Sequence, residues 1–338
     1  MIHRTDYAWQ SDPWQQLLSN AIRDPQELKK ILKLQQLPVD DGLLASTEFS
    51  LLVPQPYLSR IKPGDINDPL LAQIMPRDEE LQAIPGYTDD PLEEMHSTPL
   101  PGLIHKYHGR VLLIVSGGCA INCRYCFRRH FDYSNNTNSR QYLRDAVDYI
   151  ASDPNISEVI LSGGDPLAAK DSYLSELVSE LGTLPQLKRL RIHTRLPIVI
   201  PQRITDDCLS WLGNTKLQTI MVIHCNHPNE IDRDVLKALR LLKDAEVTLL
   251  NQSVLLRGVN DSAATLSDLS EALFDGGVLP YYLHLLDPVR GSSRFEVAEI
   301  DARKLVGMLC KQLPGYLVPK LVKESPKMAS KLPVLPIF

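Results

Sequence analysis

The spacing of apolar positions along this chain changes near residue 110. Beyond it, short apolar runs stand at residues 111–115, 158–161, 190–193, 219–224, 247–254 and 281–286. They lack the strict alternation of a half-exposed strand, as expected where both faces of a sheet are covered. Between them the apolar residues recur at helical spacing. Leu143, Val147 and Ile150 form one stripe, Leu174, Leu177, Val178 and Leu181 a second, and Val235, Leu236, Leu239 and Leu242 a third. Strands alternating with helices predict βα units and a parallel sheet. A closed eight-unit barrel takes about 250 residues, or roughly 31 per unit. Residues 111–313 number 203 and hold six strand candidates. An open, partial (β/α)6 barrel therefore fits better than a closed eight, with a doubly wound sheet as the alternative. In either α/β arrangement, ligands belong at the carboxyl ends of the strands.

The first 100 residues read differently. Eleven of the 25 prolines fall there. Proline removes a backbone donor and restricts its predecessor, so long regular elements are not expected, although residues 24–37 can be helical. Three parts are predicted: a helical, loop-rich N-terminal extension over 1–100, a partial barrel over 101–313 and a C-terminal covering tail over 314–338.

Composition narrows the function classes. With 43% hydrophobic and 23% charged residues the chain can bury a core. A net charge of −5 argues against a nucleic-acid binder. No apolar run is long enough to span a membrane, and the first fifteen residues lack the apolar stretch of a secretory signal, so a cytoplasmic protein is expected.

Three of the six cysteines, Cys119, Cys123 and Cys126, lie within eight residues, directly after the first predicted barrel strand. Such clustering points to thiolates gathered on one inorganic centre rather than to disulfides. Three thiolates can hold three irons of a [4Fe–4S] cluster and leave the fourth open, whereas electron-transfer clusters take four cysteines. A Cys3His zinc site completed by His130 is the competing reading. Cys208, Cys225 and Cys310 sit among apolar residues and are expected to be buried. The second strand ends in Ser162-Gly163-Gly164-Asp165, where two glycines allow close backbone approach to a ligand or simply form a tight turn.

The C-x3-C-x2-C motif with Tyr125 before its last cysteine resembles the signature of the radical S-adenosylmethionine superfamily. Residues 123–129, 161–167, 201–205, 227–230, 251–260 and 280–282 further resemble the lysine 2,3-aminomutases. The resemblance implies a partial-barrel fold and three cofactors: a [4Fe–4S] cluster on the three cysteines, S-adenosyl-L-methionine and pyridoxal 5′-phosphate. It implies that Tyr125 lies against the adenine and that Ser162, Gly163, Gly164 and Asp165 contact the methionine moiety. Lys331 matches the lysine that carries pyridoxal 5′-phosphate as a Schiff base, although the family's glycine run before it is missing. Lys106 matches a phosphate-binding arginine. Arg128 matches the arginine that binds the substrate carboxylate. Asp287 and Glu324 match the two acids that hold the remote ammonium, Glu324 replacing an aspartate.

The implied reaction is the isomerisation of (S)-α-lysine to (R)-β-lysine by a radical 1,2-amino shift, with a reducing partner such as flavodoxin. The chain ends four residues after Val334. This resembles the short bacterial forms that supply β-lysine to elongation factor P through a lysyl-tRNA-synthetase-like ligase. A free-metabolism aminomutase acting on lysine or another diamino acid, and a non-catalytic zinc-binding protein, are the alternatives.

Overall fold

The structure, a computed structural model, describes residues 13–35, 42–133, 140–326 and 328–338. Nine strands form one sheet in chain order: β1 (Leu103–Tyr107), β2 (Arg110–Ser116), β3 (Glu158–Gly163), β4 (Arg189–Thr194), β5 (Gln218–His224), β6 (Thr248–Val254), β7 (Leu279–His284), β8 (Lys320–Lys323) and β9 (Leu332–Pro333). β2 to β8 are successive parallel neighbours, while β1 and β9 pair antiparallel at the two ends, so the sheet stays open. The six strands expected from the apolar runs are β2 to β7. β8 adds a seventh parallel strand inside the segment expected to be only a covering tail. Its four residues, Lys-Leu-Val-Lys, are too few to show a period.

The crossover helices are α1 (Arg140–Ser152), α2 (Asp171–Leu181), α3 (Asp206–Gly213), α4 (Arg233–Asp244), α5 (Ala263–Asp275) and α6 (Glu299–Gln312). The apolar stripes face the sheet: Leu174, Leu177, Val178 and Leu181 of α2 are buried, as are Val235, Leu239 and Leu242 of α4. Side chains cap the starts of α3 and α4, with Thr205 accepting from Cys208 N and Asp232 from Asp234 N and Val235 N.

Among the described residues, the helices of the N-terminal extension are short, as its prolines dictate. Pro25–Ile31 starts at Asp24, whose carboxylate accepts from Gln26 N, with proline at the first helical position. Residues 36–37 of the longer helix expected here lie outside the described residues. The extension shares the main core: Trp14, Leu28, Leu51, Tyr57 and Leu70 pack in one cluster with Leu113, Val115, Ile192 and Leu196 of the barrel. Each such buried leucine contributes roughly 1.5–3 kcal/mol. A second cluster joins α5, α6, β7 and β8 through Leu266, Leu283, Leu305, Leu309 and Leu321.

The strands depart from uniform burial in one informative way. β3 is buried at every position, but β4 and β6 alternate. Their half-buried positions, Arg191 and His193 on β4 and Gln252 and Val254 on β6, face a cavity enclosed by the sheet. Among the described residues no helix is long and apolar enough to cross a membrane.

Candidate active site

The cavity has a volume of about 490 Å³. Every site residue expected from the sequence lines it: Cys119, Cys123, Cys126, Tyr125, Arg128, Ser162, Gly163, Gly164, Asp165, Lys106, Asp287, Glu324 and Lys331.

The cysteine loop follows β2 and is fixed by the extension. Arg124, between Cys123 and Tyr125, is fully buried and donates to both oxygens of Glu80, at 3.0 Å from Nε and 2.6 Å from Nη2. Arg129 reaches the same carboxylate at 2.9 Å. Backbone bonds add Asn122 N to Leu52 O at 3.1 Å and Arg124 N to Gln73 O at 2.9 Å.

Burial, then repulsion from one another, raises the Cys119 thiol and pushes Cys126 up to about 11. A bound cation removes that penalty, because coordination deprotonates the thiol. His130 does not join the cysteines. Its Nε2 lies 3.2 Å from Arg290 O and 3.7 Å from Asp89. Among the described residues no three His, Cys, Asp or Glu side chains converge on a single ion. His130 is thus bound away from the cysteines and does not complete a Cys3His set, whereas three thiols lining one cavity fit a larger cluster.

The two glycines also have a local backbone reason. Gly163 has φ +126°, and a Cβ there would collide with Ser116 O. At Gly164 a Cβ would stand 2.5 Å from Gly118 O. Gly164 N donates to Ser116 O at 2.7 Å and Asp165 N to Gly118 O at 2.8 Å. The end of β3 is thus stitched to the base of the cysteine loop. Asp165 is committed to protein donors: Thr194 Oγ1 at 2.6 Å, Arg195 N at 2.7 Å, and Leu167 N and Leu196 N at 3.0 Å. It clamps β3 to β4.

Arg128 is buried and paired with Glu94, Nε to Oε2 at 2.8 Å and Nη2 to Oε1 at 2.7 Å. Its Nη1 donates to Ser162 Oγ at 3.1 Å. Glu94 fixes the guanidinium plane through Nε and Nη2, and Ser162 takes a bond from Nη1. At the other end, Glu324 accepts from Lys106 Nζ at 3.1 Å, Tyr107 OH at 2.7 Å and Lys331 Nζ. Burial raises the Glu324 carboxyl, but Lys331, Tyr107 and Lys106 outweigh it and hold the group at about 2. Asp287 behaves oppositely: burial, then the Glu324 charge, pushes it up to about 7, against the pull of Lys331.

Several lining residues were not singled out from the sequence. Arg195 donates to Cys123 Sγ at 2.6 Å and Tyr125 OH at 2.7 Å, with Glu230 as its counter-ion at 2.8 Å. Tyr125 OH also accepts from Asn226 at 2.6 Å, and its ring meets Phe295 edge-on. His193, His224 and His284 line the cavity from β4, β5 and β7, and Gln252 from β6 lies 2.7 Å from His224. Burial and neighbouring cations hold His224 and His284 down to about 3, so both rings are neutral near pH 7. His193 Nε2 and His284 Nε2 are buried without a protein partner, as suits a wall meant for a polar ligand. Polar residues inside otherwise apolar strands were the available signal.

Of the three cysteines outside the motif, Cys208 and Cys225 are buried as expected, but Cys310 is exposed on the outer side of α6.

Comparison with known proteins agrees with this geometry. Residues 113–269 match the Radical SAM superfamily. The chain is 51% identical to the L-lysine 2,3-aminomutase of Haemophilus influenzae over 92% of this chain and 92% of that protein. It is 47% identical to the L-lysine 2,3-aminomutase of Escherichia coli K12 over 96% of this chain and 94% of that protein. A more distant relative, the glutamate 2,3-aminomutase of Clostridioides difficile, is 31% identical over 100% of this chain and 79% of that protein. The chain is an isomerase that works with a [4Fe–4S] cluster, S-adenosylmethionine and pyridoxal 5′-phosphate, and it belongs to the lysine 2,3-aminomutase family of radical S-adenosylmethionine enzymes.

Proposed function

We propose that this chain converts (S)-α-lysine to (R)-β-lysine. The observation that carries the reading is that one cavity contains both the cysteine trio and the group formed by Lys331, Asp287 and Glu324. Bound there, the cofactors supply radical generation at an unactivated carbon and delocalisation of the unpaired electron. Cys119, Cys123 and Cys126 hold the cluster, and Lys331 anchors pyridoxal 5′-phosphate, with Lys106 and the cavity-lining Arg110 as cations for its phosphate. Tyr125 and the Ser162–Asp165 turn bound the S-adenosylmethionine side, with Asp165 acting through the turn it clamps.

Arg128 receives the substrate carboxylate on the N–H groups that Glu94 and Ser162 leave. Asp287 and Glu324 receive the terminal ammonium, and two acids at that end disfavour glutamate, whose remote group is itself a carboxylate. Glu324 is ion-paired with Lys331 and also accepts from Lys106 and Tyr107, so it is the acid of the pair that stays ionised. The enclosing sheet keeps water from the reacting atoms.

We further infer a cytoplasmic setting, a one-electron donor of the flavodoxin type, and delivery of the product to elongation factor P. These rest on the family resemblance described above, which the identity to L-lysine 2,3-aminomutases supports. Anaerobic turnover with lysine, followed by chiral product analysis, tests the central reading: (R)-β-lysine is expected. Turnover of glutamate but not lysine would overturn the assignment of the two acids. Labelled lysine that reached free β-lysine but never elongation factor P would overturn the delivery step.

A further inference from the structure

We propose that Gly307 is the seat of a latch: the last residues of the chain dock their backbone on α6 at Gly307, and this docking holds Lys331 where it can capture pyridoxal 5′-phosphate. The inference rests on the reading of Lys331 given above.

Lys331 directly precedes β9, a strand of two residues, which on its own is marginal. Upstream, the described residues between Glu324 and Lys331 form neither strand nor helix. Among the described residues, the backbone anchors nearest Lys331 lie on its C-terminal side. Three backbone anchors follow it. Val334 N donates to Leu321 O at 2.9 Å, Arg303 Nε donates to Leu335 O at 2.8 Å, and Ile337 N donates to Arg303 O at 3.0 Å.

The last two anchors fall on α6, and Gly307 lies one turn beyond Arg303. A Cβ at Gly307 would stand 2.8 Å from the carbonyl carbon of Ile337 and closer still to its oxygen. Only glycine admits this approach. Glycine in a helix interior weakens the helix relative to alanine, so its presence at this buried position calls for a packing reason. The backbone of Ile337 is that reason. An amine must be held close to a carbonyl before it can add to it, and a loosened tail spreads Lys331 Nζ over unproductive positions.

The test uses the full chain with reconstituted cluster, titrated with pyridoxal 5′-phosphate. Borohydride reduction and peptide mass spectrometry locate the pyridoxyl group, and iron and sulfide are measured on the same samples. Gly307→Ala is expected to weaken apparent pyridoxal 5′-phosphate affinity about tenfold, Arg303→Ala less, both with parental iron and sulfide. In a chain lacking Ile337 and Phe338 the affinity is already weakened, and adding Gly307→Ala changes nothing more, because the new Cβ then meets no tail. Unchanged affinity in Gly307→Ala and in the shortened chain would overturn the latch. So would equal loss of iron and of labelling, which marks general unfolding. Labelling of the parent at another lysine would overturn the reading of Lys331 instead.

Discussion

The two ends of the cavity are built on opposite principles. At the cysteine end the loop is bound into the core by buried charge: Glu80 carries Arg124 and Arg129, Glu94 carries Arg128, and Glu230 carries Arg195. At the Lys331 end a two-residue strand and a few backbone bonds do the holding, and the polar groups answer mostly to one another. The cysteine end is over-determined, so damage there acts through the fold. The lysine end is lightly held, so on the proposed reading damage there acts on capture of cofactor and substrate.

The sharpest break in this comparison is Lys331→Ala. The variant is expected to show no visible cofactor absorbance and no turnover while keeping its iron; a retained band would place the anchor elsewhere. Glu80→Ala attacks the other end. It leaves two buried guanidinium groups without their carboxylate, a loss of about 3–5 kcal/mol. Urea denaturation should show the lowered midpoint and metal analysis the lost iron; parental values for both would refute the account of the loop.

Asp287→Asn is a milder change. A hydrogen bond to a charged group contributes about 1.5–3 kcal/mol, so KM for lysine should rise on the order of 10- to 100-fold. The pH dependence sharpens this. Burial and the Glu324 charge push Asp287 up to about 7, and only its ionised form attracts an ammonium. KM of the parent should fall as pH rises through 7, and the Asn variant should lack that limb. A parental KM profile that is flat from pH 6 to 8 would remove Asp287 from the ammonium site. The smallest effect is expected at Cys208→Ala, a buried thiol remote from the cavity, with about 1 kcal/mol lost and iron unchanged.

How far the sequence carried follows the same divide. β2 to β7 were legible because each is a run of apolar residues bounded by turns. β1 and β8 were not, since five and four residues with charged members show no period. The cysteine motif was legible because its spacing is local. Its supports were not: Glu80 and Glu94 lie 44 and 34 residues from Arg124 and Arg128, and nothing in the local pattern pairs them. The glycines of the β3 turn were readable as a close approach. What they approach, the backbone at Ser116 and Gly118, came only from the fold. The histidines of β4, β5 and β7 left a trace in the sequence as polar residues inside apolar strands. Apolar runs in a sheet covered on both faces read as uniformly buried, which hides such a trace.

The central claim is that three cysteines hold an iron–sulfur cluster with one corner left for S-adenosylmethionine. Anaerobic iron, sulfide and zinc analysis, combined with electron paramagnetic resonance of the reduced protein before and after S-adenosylmethionine is added, tests it most directly. The account predicts about four irons and four sulfides per chain and a spectrum that changes when S-adenosylmethionine binds. Stoichiometric zinc without sulfide, or a cluster spectrum indifferent to S-adenosylmethionine, would contradict it.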